Sequence, residues 1–540
     1  MVPRAGTHTG SSVIPGPAHP EPIEIRPMHF EQIRTTAPRL SRLSSLLILC
    51  CGLASCAVGP ADFELEEATI LQLQESMASG AVSSRELVEM YLDRIEEFDR
   101  KGPEINSMIL VNPGALREAE TLDAERAATG PRGPLHGVPV VIKDNYDAAG
   151  LPTTDGSQAL SGHVPPDDAF QVRKLREAGA VILGKTNLHE FARGITTVSS
   201  MGGQTLNPYD TSRNPGGSSG GTGAAVAANF AAVGMGSDTC GSIRIPSSHN
   251  SLVGLRVTRG LSSRDGVAPL SSTQDVAGPL ARSVEDLAIV LDATVGYDPA
   301  DPITALGVGR VPTTYRDSLR ADGLEGARIG VLNDLFGTAA ESEEINGLVR
   351  AAGRDMERSG AEVVQLNIPG LSDLLRGASV IDLEFKFDLE EYLDQTPGAA
   401  VTSLEQILES GQFHTSLENI LRRSLARETL DTPEYRERLI KRERIRVAVL
   451  SAMAERNLDA VLYPTMTWEP APVGERQRGT NCSLSATSGL PAISVPAGFT
   501  AGGLPIGAEL LGRPFDEPTL IRFAYAFEQA THHRRPPRWQ

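Results

Sequence analysis

The chain has 540 residues and a formal charge of −18, with 40% hydrophobic and 22% charged side chains. That length accommodates about three average domains or one large α/β domain, with apolar content for a sizeable core. The acidic balance, without a long basic run in the body, argues against a phosphate-backbone partner. Only Cys240 and Cys482 of the five cysteines lie in the body, too few for a disulfide framework and spaced like no zinc site.

Residues 1–38 are rich in Pro, His and Thr and are expected to be a disordered extension. Arg39 and Arg42 then precede an apolar run of 11 residues, Leu43 to Leu53, followed by Ala54, Ser55 and Cys56. A positive flank, a short apolar core and small residues at the exit form a secretory signal, and the run is shorter than the ~20 residues a spanning helix needs. Leu53-Ala-Ser-Cys56 resembles the bacterial lipobox. Residues 39–56 are therefore expected to direct export, with lipidation of Cys56 as the only membrane attachment.

Residues 62–540 are expected to form one domain. Glu66 to Phe98 reads as two helices, the second opened by a capping box at Ser83-Ser-Arg-Glu86. Gly137-Val-Pro-Val-Val-Ile142 is a buried strand with Lys143 at its exit. A helix over Phe170 to Ala178 and a strand over Ala180 to Gly184 repeat the pattern, with Lys185 at the exit. Residues 296–325 read as a loop, and a further unit starts at Ala327 to Leu332. Residues 340–460 are mostly helical and strongly charged, a solvated face or the frame of a substrate entrance. Leu490 to Pro496 and Leu504 to Leu511 flank the turn Thr500-Ala-Gly-Gly503 as strand, turn and strand. Alternating helices and strands predict an α/β layered fold with a largely parallel sheet.

Two Gly/Ser-rich segments carry the chemistry, Arg213 to Gly223 and Gly236 to Pro246. Glycine there lets backbone N–H groups approach a substrate, and serine supplies hydroxyls that a base can activate. A phosphate-binding loop is absent from the sequence. Gly216-Gly-Ser-Ser-Gly220 matches the α/β-hydrolase nucleophile elbow only formally, because turn residues, Asp210 to Pro215, stand where that elbow needs a strand. His189-Glu190 lacks a metal-ligand partner at helical spacing and reads as a structural histidine. A serine then needs another base, and lysine serves only when neutral, with its pKa lowered by roughly two to three units. Lys143 and Lys185 both follow apolar strands, and spacing alone does not choose between them.

The residues resemble the amidase signature hydrolases over nearly all of the body. The resemblance rests on Gly137-Val-Pro-Val-Val-Ile-Lys-Asp144, Ala180-Val-Ile-Leu-Gly-Lys-Thr-Asn187 and Asn207-Pro-Tyr. It continues through Pro215-Gly-Gly-Ser-Ser-Gly-Gly221, Asp238-Thr-Cys-Gly-Ser-Ile-Arg-Ile-Pro246 and Ser488-Gly-Leu-Pro-Ala-Ile-Ser-Val-Pro496. It implies a large mixed, mostly parallel sheet covered by helices on both faces. It places the family's lysine at Lys143, its bridging serine, after a cis peptide bond, at Ser218, and its nucleophile at Ser242, 24 residues later. It further implies an oxyanion hole from the backbone N–H groups of Thr239, Cys240, Gly241 and Ser242, and a loop supported by Gly217, Ser219, Asp238 and Arg244. Cys240 departs from the glycine usual at its position, so a side chain narrows the pocket or leaves a thiol open to oxidation. The implied reaction is hydrolysis of small linear amides to a carboxylate and ammonia or an amine through an acyl-enzyme, without metal or cofactor. The alternative within this resemblance is a glutaminase component like that of glutamyl-tRNA(Gln) amidotransferase. The export signal and the acidic balance count against it.

Overall fold

In the computed structural model the described residues are 63–396 and 399–539. The expected extension, the signal and Cys56 lie outside them. The described residues all fall in one compact unit, Pro60–Gln540.

Among the described residues thirteen strands are formed: β1 Met108–Val111, β2 Pro139–Lys143, β3 Val181–Thr186, β4 Val198–Ser199, β5 Gly203–Gln204, β6 Val233–Asp238, β7 Val253–Arg256, β8 Val276–Ala281, β9 Arg328–Leu332, β10 Glu362–Leu366, β11 Ala460–Pro464, β12 Ala492–Phe499 and β13 Pro505–Leu511. β4 and β5 make a small separate hairpin. The other eleven form one sheet in the order β1-β3-β2-β6-β8-β7-β12-β13-β11-β9-β10.

The mixed sheet is as expected, but it is not mostly parallel. Four neighbouring pairs are parallel, β2 with β3 and β6, and β9 with β10 and β11. Six are antiparallel, and five of those run consecutively from β6 to β11. Of these only β12 and β13 are joined by a tight turn, Thr500–Gly503, closed by Gly503 N–H donating to Thr500 O at 2.8 Å. The other antiparallel pairs come from strands farther apart in sequence that are brought side by side by the order of pairing.

Helices cover both faces. Along β11, Ala460 and Leu462 join one apolar cluster with Ile345, Val349 and Phe523, while Val461 and Tyr463 join another with Ile445, Val449 and Met453. That alternation is the two-residue period of a strand buried on both sides. The expected capping box holds: Glu86 N–H donates to Ser83 Oγ at 3.1 Å and Ser83 N–H to Glu86 Oε2 at 2.7 Å, opening the helix Ser84–Arg94.

Candidate active site

β2 and β6 are parallel neighbours, with Ile142 opposite Met235. Their carboxyl ends therefore emerge side by side, where open α/β sheets bind ligands. Lys143 is the last residue of β2, and Ser237 and Asp238 end β6. Lys143 Nζ lies 2.7 Å from Ser218 Oγ and 2.7 Å from Ser237 Oγ, and the lysine has no exposure to solvent. Burial pushes Lys143 down from 10.5 to about 8, against the opposing pull of Asp155, Asp275 and Asp238. Lys185 has other ties. It pairs with Asp144 at 3.0 Å and donates to Thr153 Oγ1 at 2.9 Å. Of the two lysines, Lys143 is the one in contact with Ser218.

Ser218 follows a cis peptide bond from Gly217. A β-carbon at Gly217 would stand 2.9 Å from the carbonyl carbon of Ile195, so only glycine fits. The next residue ties the two Gly/Ser segments together: Ser219 N–H donates to Ser242 O at 3.2 Å and Ser219 Oγ to Ser237 O at 3.2 Å. The Ser218 and Ser242 hydroxyls do not hydrogen-bond to each other among the described residues. The two serines are instead neighbours through this backbone contact.

The loop from Thr239 to Ile243 wraps around Asp238. Its carboxylate accepts from Gly241 N–H at 2.7 Å and Ile243 N–H at 3.2 Å, from Arg244 Nε at 3.1 Å and from Arg256 Nη1 at 2.9 Å. Burial alone would raise this carboxyl, but Arg244 and Arg256 outweigh it and hold it well below the usual range. Arg244 also pairs with Glu509, itself bonded to Tyr463 Oη. Asp238 and Arg244 thus tie the loop from Thr239 to Ile243 to the end of β6. The expected four-member oxyanion hole needs one correction: the Gly241 N–H is already committed to Asp238. Among the described residues the N–H groups of Thr239, Cys240 and Ser242 donate to no protein group.

A second correction concerns cysteine. Cys240 is no free thiol; it is bonded to Cys482, 242 positions away, with Cα atoms 5.0 Å apart. The bridge joins the Ser242 loop to the start of the helix Ser483–Ser488. Gly241 makes the approach possible. It has φ +87°, and a β-carbon there would meet Cys482 Cβ at 2.9 Å.

Ser242 and Cys240 open onto a cavity of about 260 Å³, walled also by Leu270, Ile381, Ile420 and Arg193. Ile381 and Ile420 come from the charged helical region, so part of that region frames the cavity. Ser237 and Asn145, whose Nδ2 donates to Ser237 Oγ at 3.1 Å, were missed from the sequence. The signal for Ser237 was its place directly before Asp238. His189 is buried, which pushes it down to about 3, and its Nδ1 accepts from Thr196 N–H at 3.3 Å, as suits a neutral structural histidine. Among the described residues no group of three or more His, Cys, Asp or Glu is arranged around a metal-sized space.

The amidase family model matches residues 86–521. The chain belongs to the amidase signature family. It is 35% identical over 512 residues to a probable amidase of Arabidopsis thaliana, covering 92% of this chain and 96% of that protein. It is 36% identical over 474 residues to the A component of the glutamyl-tRNA(Gln) amidotransferase of Methanosarcina acetivorans, covering 84% and 96%. Among solved structures, the native peptide amidase from Stenotrophomonas maltophilia superposes with a TM-score of 0.82 at 40% identity, covering 88% of this chain and 99% of that one. Family membership makes the protein an amidase signature hydrolase.

Proposed function

We propose that the protein hydrolyses linear amides through Lys143, Ser218 and Ser242. The observation that carries this reading is the solvent-free Lys143 amine at 2.7 Å from the Ser218 hydroxyl. Neutral Lys143 accepts the Ser218 proton while Ser218 accepts the Ser242 proton, and Ser242 Oγ attacks the amide carbonyl. The two hydroxyls must close to hydrogen-bond distance in the substrate complex, as catalytic contacts commonly do. Backbone N–H groups of Thr239, Cys240 and Ser242 are the free donors for the oxyanion, each worth about 3 kcal/mol in the transition state. The proton returns through Ser218 to the leaving nitrogen, the carbon–nitrogen bond breaks, and water releases the carboxylate from Ser242.

The likeness to a protein named peptide amidase, at 40% identity, supports a stand-alone amidase. The charge of −18 supports it over a tRNA-linked component. The test is Ser242→Ala against a panel of primary amides that includes glutamine. Turnover should fall by at least about 10³-fold with the unfolding midpoint retained. Retained turnover would remove Ser242 from the reaction.

A further inference from the structure

Arg193 stands on the wall of the Ser242 cavity with its side chain only 1% exposed. Its Nη2 donates to Asp382 Oδ1 at 2.7 Å, and its guanidinium lies over the Phe385 ring, 4.6 Å from the centroid. Nε and Nη1 are buried and meet no acceptor among the described residues. Buried donors are nearly always paired, because leaving one open costs more than a typical hydrogen bond contributes. Two open donors on a fixed guanidinium at the wall of a reaction cavity are arranged for an acceptor that arrives with the substrate.

The backbone holds Arg193 in that position. Phe191 and Ala192 have φ of 54° and 53°, the left-handed region that residues with a β-carbon rarely adopt. Phe191 N–H donates to Asp155 O at 2.9 Å, and Arg193 N–H to Glu190 O at 3.1 Å. Glu190 in turn accepts from the N–H groups of Ser200 at 2.8 Å and His414 at 2.9 Å. Strained backbone of this kind persists where surroundings over-determine it, and it clusters at ligand sites.

The rest of the wall leaves the task to Arg193. Arg438 already donates to Ser379 O and to Glu434. Asp382 is engaged by Arg193, so the three charged groups on the wall sum to one positive charge, which favours an electron-rich ligand atom. Ile195, Leu270, Ile381 and Ile420 supply apolar surface for the chain between that atom and the scissile bond.

We propose that Arg193 is a specificity-determining residue. Through Nε and Nη1 it binds a second oxygen acceptor, a carbonyl or carboxylate, on the acyl part of an amide whose scissile carbonyl faces Ser242. This rests on the reading of Ser242 given above. The acyl part is the portion retained on Ser242 after the amine departs, so binding it serves both chemical steps.

The experiment compares kcat/KM for primary amides matched in length, with and without the second oxygen. Pentanamide, N-acetylglycinamide and glutaramate form one set, and shorter and longer sets follow. Wild-type enzyme should favour the oxygen-bearing member of at least one set by about 10- to 100-fold. Arg193→Met should abolish that preference while its rate on the plain alkyl amide stays within about threefold, which also reports that the fold survives. Arg193→Lys, which keeps the charge without the planar fork, should recover only part of the preference. N-acetylglycinamide against glutaramate tells a carbonyl from a carboxylate. No preference in any set, or an equal loss on the plain and the oxygen-bearing amides in Arg193→Met, would overturn the proposal. Ser242→Ala, run in parallel, should silence every substrate; turnover there would instead overturn the site reading beneath it.

Discussion

Activity should follow the ionisation of Lys143. Burial lowers it from 10.5 to about 8. At pH 7 an amine with a pKa of about 8 is neutral in about one molecule in ten, against about one in three thousand at 10.5. Burial therefore raises the competent fraction about 300-fold, equivalent to about 3 kcal/mol. Two of the three carboxyls that pull the other way are weakened themselves, since burial raises Asp155 and Asp275 above their ordinary values, and the third, Asp238, is paired with Arg244 and Arg256. The assay is kcat/KM on a primary amide from pH 5.5 to 10 at constant ionic strength. Its logarithm should climb with unit slope and level off near pH 8. Lys143→Ala should lose that limb together with about 10³-fold or more of rate. Lys143 itself leaves stability unchanged along this limb, because below 8 it is protonated both folded and unfolded. Only between 8 and 10.5, where the folded lysine has released its proton and the unfolded one has not, does its contribution to stability rise with pH. A rate flat from pH 5.5 to 7.5, or the same limb persisting in Lys143→Ala, would refute the assignment.

The Cys240–Cys482 bridge should be detectable as a linked peptide pair in a non-reducing digest. Cys482→Ser should lower stability by about 2 to 4 kcal/mol in denaturant melts, because the bridge closes a long stretch of chain, and should depress kcat by loosening the Ser242 loop. A variant as stable and active as wild type would deny the bridge that role. We also propose export with lipidation at Cys56, for which detergent phase partitioning is the check. Full-length protein should enter the detergent phase and Cys56→Ala should stay in the aqueous phase, whereas equal partitioning would exclude the anchor.

The parts of the site legible in sequence came by two routes. The Val140-Val-Ile142 run announced a buried strand with Lys143 at its end and the two Gly/Ser segments marked where hydroxyls and backbone N–H groups gather, while the resemblance to the amidase signature hydrolases pointed to Ser218 and Ser242 within them. What stayed hidden depended on distant partners. Lys143 and Lys185 look alike by local pattern, and beyond the family resemblance it is their partners that separate them, Ser218 for Lys143 and Asp144 for Lys185. The commitment of Gly241 N–H to Asp238 and the bond from Cys240 to Cys482 are likewise products of three-dimensional packing. The sheet was read as mostly parallel because alternating helices and strands suggest crossovers, while the antiparallel centre is set by pairing order. Arg193 gave no signal at all. A single arginine in a loop looks solvated until its burial against Phe385 is known.

The central claim is that Ser242 carries the acyl group during turnover. Rapid quenching with an amide or ester that deacylates slowly, followed by peptide mass mapping, tests it directly. The account predicts one added acyl mass on the peptide containing Ser242, absent in Ser242→Ala. Steady turnover with no adduct there, or an adduct on Ser218 in its place, would contradict it.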